Sequence, residues 1–91
     1  MSDNEIVMYT KATCPYCQAA QRLLSSKGVK WTEFSLLSEP HKRAEMIERS
    51  GRQTVPQIFI GDTHIGGFDD LDALEQEGEL DRLLETGSEI D

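Results

Sequence analysis

Residues 6–17 read Ile6-Val7-Met8-Tyr9-Thr10-Lys11-Ala12-Thr13-Cys14-Pro15-Tyr16-Cys17, and their reading decides the fold. Ile6-Val7-Met8-Tyr9 is a short apolar run with a β-branched bias, which predicts a buried strand. Residues 10–13 are a polar connection. From Pro15 the pattern turns helical: Ala19, Ala20, Leu23 and Leu24 form one apolar stripe, Pro15 suits a first turn and Gly28 a stop. The two cysteines therefore sit where a strand hands over to a helix. The unpaired amides and positive dipole end of a helix start stabilise an anion, which favours the thiolate form of Cys14. Cys17, one turn further on, reaches the same sulfur, so the pair can close a disulfide with Cys14 attacking and Cys17 resolving. The competing reading of such a pair is half a zinc site, but structural zinc needs four ligands. Only His41 and His64 could add to the set, neither at finger-like spacing, and no metal is expected. Two inert core cysteines are disfavoured as well, because Pro15 and Tyr16 fit an exposed helix start.

Downstream, residues 29–35 read as a second strand, with Val29, Trp31 and Phe34 supplying apolar surface. A second helix is predicted from Glu39-Pro40 to Ser50-Gly51, with Ala44, Met46 and Ile47 inward. Gln57-Ile58-Phe59-Ile60 is a third strand. Gly61-Asp62 is a two-residue turn signal, so His64-Ile65 continues as the other arm of a hairpin. Gly66-Gly67 breaks that strand, and residues 68–77 read as a third helix with Leu71 and Leu74 inward. Leu80, Leu83 and Leu84 mark a short last helix. The predicted order is β-α-β-α-β-β-α-α. The first two strands are expected to be parallel, joined by a right-handed crossover, and the last two antiparallel.

The chain has 91 residues, enough for one domain, which we expect to span 1–91 with frayed acidic ends at about 1–4 and 87–91. The net charge of −8 argues against a nucleic-acid partner, which needs a basic face, and against docking on an anionic membrane. No apolar stretch is long enough to span a bilayer, and Met1-Ser2-Asp3-Asn4-Glu5 lacks the basic start and apolar run of a signal peptide. Two cysteines three apart are not a secreted disulfide framework. The expectation is a monomer in a reducing cytoplasm.

Three further features bear on chemistry. Thr54-Val55-Pro56 precedes the third strand, and its proline alone could simply open that strand. Beside a strand-CxxC-helix unit, a cis proline would instead expose the Val55 backbone next to Cys14 for pairing with an extended substrate. In Gly66-Gly67-Phe68-Asp69-Asp70 the glycines allow positive φ or close approach, and Asp69 is a plausible N-cap. The functional alternative is a helix start whose amides hold a carboxylate while an aspartate holds a neighbouring ammonium. Lys11, three residues before Cys14, is otherwise an ordinary surface cation.

Taken together and in this order, Tyr9-Thr10-Lys11-x-x-Cys14-Pro15-Tyr16-Cys17, Thr54-Val55-Pro56 and Gly66-Gly67-x-Asp69-Asp70 resemble the glutaredoxin family, in its short bacterial dithiol form, from about Ile6 to Leu84. The resemblance implies an α/β, thioredoxin-like fold: a four-stranded mixed sheet flanked by helices. It implies a glutathione-dependent thiol–disulfide oxidoreductase acting on protein disulfides and glutathione mixed disulfides. Cys14 would be the nucleophile and Cys17 the resolving thiol. Lys11, Tyr16 and Arg43 would contact the glycyl end of glutathione, Thr54 and Val55 its cysteinyl part beside a cis Pro56, and Asp69 and Asp70 its γ-glutamyl headgroup. No cofactor would be tightly bound; glutathione would be reductant and co-substrate. Disulfide-containing or glutathionylated proteins would be the partners. Phe68 departs from the family pattern, where a small residue is common, and makes that wall of the groove bulkier. The acidic charge opposes glutathione, itself an anion, with Lys11 and Arg43 as local exceptions. A thioredoxin reduced by a flavoprotein is the alternative enzyme, disfavoured by Thr13, Tyr16 and the Asp69-Asp70 pair. A glutathione-ligated iron–sulfur carrier is the non-enzyme alternative, disfavoured by Pro15 and Cys17.

Overall fold

The first strand, β1 (Ile6–Thr10), sends alternate side chains to opposite faces of the sheet, and both faces are covered. The computed structural model describes residues 5–86. The expected fraying at 1–4 and 87–91 lies outside those residues. Ile6 and Met8 of β1 enter one core with Ile58 and Ile60 of β3 (Gln57–Ile60); Tyr9 enters a second core with Phe59. Coverage on both sides explains why these strands read as unbroken apolar runs rather than as alternation.

The first core is closed by α1 (Pro15–Ser26), α3 (Phe68–Gln76) and α4 (Leu80–Thr86), through the fully buried Ala20, Leu24, Leu71 and Leu80. Each such leucine contributes on the order of 2–3 kcal/mol of apolar burial. The second core is closed by α2 (Lys42–Ser50) through Met46, with Ile47, Phe34 and Val7 packed around it. Tyr9 carries a polar group into this layer. Its hydroxyl donates to Glu45 and accepts from Arg49 at 3.0 Å, so the buried Oη is satisfied.

The element order is the predicted one, with β2 (Thr32–Ser35) and β4 (Thr63–Gly66) completing a sheet of order β2-β1-β3-β4. β1 and β2 are parallel, Val7 opposite Thr32; β1 pairs β3 and β3 pairs β4 antiparallel. Three expectations are corrected. The second strand begins at Thr32 rather than residue 29: Thr32 pairs with Val7, and in this register Val29 and Lys30 fall before the start of β1. Val29 and Trp31 still pack on the first core. The second helix begins at Lys42 rather than Glu39, since residues 36–41 form turns, with the Glu39 amide bonded to Ser35 O at 2.8 Å. Ala44 is exposed, not inward: it lies roughly 200° around the helix from Met46. α2 stops at Gly51, in the left-handed region at φ 74, its amide bonded to Ile47 O.

Lys27 ties the far ends of the first layer together. It follows α1 and pairs with Glu75 of α3 at 2.6 Å and Asp81 of α4 at 2.9 Å. This leaves the opposite end of α1, where the cysteines lie, next to the start of α3.

Candidate active site

Cys14 is the N-cap of α1, with extended backbone (φ −94, ψ 116), and Pro15 occupies the first helical position. The cap uses no side chain: the Cys14 carbonyl accepts from the amides of Cys17 and Gln18, at 3.1 and 3.3 Å. The sulfur is half-buried and lies 3.7 Å from the carbonyl oxygen of Val55. Cys17 is 1% exposed. The two sulfurs are unbonded to each other in this structure. Burial pushes the Cys17 thiol up to about 12; hydrogen bonding and charge from Cys14 add to this, and the Glu33 charge adds a smaller push, while the Lys11 backbone opposes it. The pair is therefore asymmetric. The reachable sulfur is Cys14, and its partner stays protonated beneath it.

Beside Cys14 an open groove of about 240 Å³ runs between the start of α1, the loop before β3 and the start of α3. Six of the predicted site residues line it: Tyr16, Thr54, Val55, Pro56, Asp69 and Asp70. The Val55–Pro56 peptide bond is cis. Tyr16 is 60% exposed and stacks on Phe68, with ring centroids 6.4 Å apart, so the two aromatic rings form one wall. Lys11 and Arg43 are exposed and do not line the groove; Lys11 offers its carbonyl to the Cys14 amide at 3.0 Å, and Arg43 sits in the first turn of α2.

The start of α3 is built differently from the simple reading of its sequence. Gly67, not Asp69, is the N-cap. Asp70, at the third helical position, folds back so that its Oδ2 accepts from the Gly67 amide at 3.0 Å. This return needs Gly66. At φ 116 the backbone there is in the region that favours glycine, and a Cβ would stand 2.3 Å from Asp70 Oδ2. The same Asp70 oxygen accepts from Arg52 Nη1 at 3.0 Å. The Gly67 amide, followed by the Arg52 guanidinium, holds the Asp70 carboxyl below its ordinary 3.8.

Arg52 was not among the residues singled out from the sequence. The available signal was a cation in an acidic chain, two residues before Thr54 and just after the glycine that ends α2. A second group was also missed. Gln57 is fully buried, and its amide donates to Thr54 O (3.0 Å) and Thr54 Oγ1 (3.2 Å), while its Oε1 meets His64 Nε2 at 2.8 Å. Gln57 thus holds one wall of the groove from behind. Burial, with the charge of Arg52 behind it, pushes the His64 imidazole below its ordinary 6.5, although Asp70 pulls the other way. Glu33, whose charge is felt at Cys17, gathers donors from Thr10, Gln21 and Trp31 at 2.8–2.9 Å. Among the described residues no group of three or more His, Cys, Asp or Glu is placed to hold a metal ion, and no helix is long and apolar enough to cross a membrane.

Residues 6–65, which carry the cysteine pair and the cis proline, match the family model for glutaredoxin. The chain belongs to the glutaredoxin family. It is 60% identical over 79 residues to Glutaredoxin 3 of Escherichia coli strain K12, covering 87% of this chain and 95% of that protein. The solution structure of glutaredoxin from Brucella melitensis is 53% identical and superposes with a TM-score of 0.82, covering 99% of this chain and 98% of that one. A buckwheat glutaredoxin–glutathione complex is 30% identical, with a TM-score of 0.84 over 92% of this chain and 79% of that one. Glutaredoxins are glutathione-dependent oxidoreductases, and the thioredoxin-like fold expected from the sequence is the fold observed.

Proposed function

We propose that this glutaredoxin reduces protein disulfides and glutathione mixed disulfides through Cys14 and Cys17, with glutathione as reductant and co-substrate. The observation that carries the proposal is the placement of the exposed-side sulfur. Cys14 touches Val55, and Val55 lines a groove whose other walls are Tyr16, Thr54, Pro56, Asp69 and Asp70. A tripeptide lying in that groove presents its own sulfur to Cys14. Support also comes from the buckwheat relative, whose structure is a complex with glutathione.

In the simpler reaction the Cys14 thiolate attacks the glutathione sulfur of a glutathionylated protein. The protein thiolate leaves, and Cys14 holds glutathione as a mixed disulfide. A second glutathione thiolate then attacks that glutathione sulfur, giving glutathione disulfide and restoring Cys14. With a protein disulfide, Cys14 forms a mixed disulfide with the protein, and Cys17 loses its proton and attacks Cys14 to release the protein. Two glutathiones then return the dithiol. The high Cys17 value fits this order. While Cys14 is a free thiolate its charge and hydrogen bond keep Cys17 protonated; once Cys14 is bonded to substrate, those two contributions vanish and Cys17 becomes easier to deprotonate. We place Lys11 and Arg43 at the outer, glycyl end of the tripeptide, beyond the groove proper, and the work of the protein in a reducing cytoplasm.

The test is a coupled assay with glutathione, glutathione reductase and a small mixed disulfide, run beside a protein-disulfide substrate and a thioredoxin reductase arm. Cys14→Ser should abolish turnover on both substrates. Cys17→Ser should keep the mixed-disulfide reaction and lose most reduction of protein disulfides. Activity surviving Cys14→Ser, or efficient reduction by thioredoxin reductase in place of glutathione, would overturn the reading.

A further inference from the structure

We propose that Glu33 is a positioning residue for the resolving step: its carboxylate, tied to the end of β1 and to α1 one turn from Cys17, holds Cys17 as a thiol and so leaves glutathione more time to clear Cys14. This rests on the proposed function, in which Cys14 carries glutathione as a mixed disulfide. That mixed disulfide has two ends open to it. In one, an outside glutathione thiolate attacks the bound glutathione sulfur, glutathione disulfide leaves, and Cys14 is a thiolate again. In the other, Cys17 loses its proton to solvent and attacks the Cys14 sulfur. The Cys14–Cys17 bond then forms, the bond to glutathione breaks, and glutathione leaves as a thiolate.

Glu33 lies on β2 opposite Met8, a residue of the core that α1 closes, so its side chain emerges on the α1 face of the sheet. There it is fixed at both oxygens. Oε2 accepts from Thr10 Oγ1 and from Gln21 Nε2, each at 2.8 Å, and Oε1 accepts from Trp31 Nε1 at 2.9 Å. Thr10 is the buried last residue of β1, and the backbone of its neighbour Lys11 lies against Cys17. Gln21 stands one turn after Cys17 on the same face of α1. All three donors are neutral, and Glu33 forms no ion pair among the described residues. The network therefore fixes a negative charge within reach of Cys17 without cancelling it.

The titratable and charged groups around Cys17 are Cys14 on its own helix, Lys11 just after β1 and Glu33 on β2, while Asp69 and Asp70, at the start of α3, line the groove. Arg22 of α1 shares a hollow with Gln21 and Trp31 but does not pair with Glu33. Of the groups that disfavour a Cys17 thiolate, Cys14 drops out once it is bonded to glutathione. Burial and the Glu33 charge stay, opposed by the Lys11 backbone. Glu33 thus still acts on Cys17 at the moment when Cys17 must ionise. Glu33 is itself exposed, which limits its effect to about three- to fivefold in the thiolate fraction of Cys17. A more basic thiolate is also a better nucleophile, which offsets part of this and leaves about twofold in rate.

The experiment mixes the reduced full chain with excess glutathione disulfide, quenches with acid at intervals, and reads by intact mass the reduced chain, the Cys14 adduct and the closed disulfide. Glu33→Gln keeps an oxygen for Thr10 and Gln21, and its adduct should close about twofold faster near neutral pH. A second readout separates charge from looseness. In a Cys14→Ser background the carbon resonance of Cys17 Cβ follows ionisation of that thiol alone. Glu33→Gln should move its midpoint to lower pH, with a thiolate fraction about three- to fivefold larger below it. Adding Gln21→Glu to Glu33→Gln puts the negative charge on α1 and should return both readouts toward the parent. Trp31→Phe, which removes a donor and keeps the charge, should leave both in place. Four results would overturn the inference and leave the glutathione reading intact: an unmoved midpoint in Glu33→Gln, faster closure without a moved midpoint, an equal effect of Trp31→Phe, or a double variant as fast as Glu33→Gln. A parent chain that forms no Cys14 adduct would overturn the proposed function and the inference with it.

Discussion

Replacing Gly66 by alanine tests whether the headgroup end of the groove is held as described. The substitution forces a side chain onto a backbone at φ 116, at an expected cost of about 1–3 kcal/mol. The new Cβ would stand 2.3 Å from Asp70 Oδ2 and 2.8 Å from its Cγ, so the carboxylate has to leave. Its departure frees the Gly67 amide, worth about 1 kcal/mol as a lost cap, and breaks the half-exposed Arg52 pair, worth 1 kcal/mol at most, as is usual on a surface. The sum is roughly 2–5 kcal/mol. For a domain of this size that lowers the melting temperature by about 10–40 °C. Urea denaturation of a double-mutant cycle separates the parts. Asp70→Ala alone should cost about 1–2 kcal/mol. In a Gly66→Ala background it should cost nothing further, because the carboxylate has already been expelled. Additive losses, or a Gly66→Ala chain within about 0.5 kcal/mol of the parent, would refute the account of why glycine stands at this position.

Gln57→Leu should destabilise the domain by about 2 kcal/mol, since it strands the buried partners of a satisfied amide, and it should raise the KM for glutathione more than it lowers kcat, because Thr54 loses its support; an unchanged KM would sever Gln57 from the groove. Stability should fall with acid in two stages. The folded-state values of His64 and Asp70 are both lowered, so each contributes stability above its unfolded value and loses it as pH drops through its folded one. His64 therefore acts below about 6.5 and Asp70 below about 4; a pH series of denaturation midpoints should lose its upper slope in His64→Gln and its lower slope in Asp70→Asn. Lys11→Ala, at an exposed position outside the groove, should shift stability by less than about 0.5 kcal/mol while raising the KM for glutathione; an unchanged KM would remove Lys11 from the ligand's path.

The element order, the parallel pairing of the first two strands, the antiparallel pairing of the last two and the cysteine pair at a helix start were legible in the sequence, because they follow from local periodicity, connection length or a residue's own chemistry; the antiparallel pairing of β1 with β3 was not. Ile6 to Tyr9 is apolar throughout because both sides of its strand are covered, and Pro15 opens a helix wherever it stands in the fold. Boundaries were less legible. The start of β2 depends on where its partner strand begins, and the exposure of Ala44 depends on which face of a short helix meets the sheet, neither of which is a property of the segment itself.

The site divides the same way. The residues of Cys14-Pro15-Tyr16-Cys17, Thr54-Val55-Pro56 and Asp69-Asp70 could be picked out from the sequence, as candidates, by type and spacing. That six of them line one groove is a tertiary fact, and so are the contacts that set their chemistry. The high value at Cys17 comes from burial beneath a neighbouring sulfur. The pairing of Asp70 with Arg52 bridges 18 positions in the chain, and the Gln57 brace joins a strand residue to a loop and to the far arm of a hairpin. Sequence determined which groups are available, because reactivity belongs to the residue. Only the folded chain decided how each is charged, screened and aimed, because those depend on which distant groups arrive within hydrogen-bonding distance.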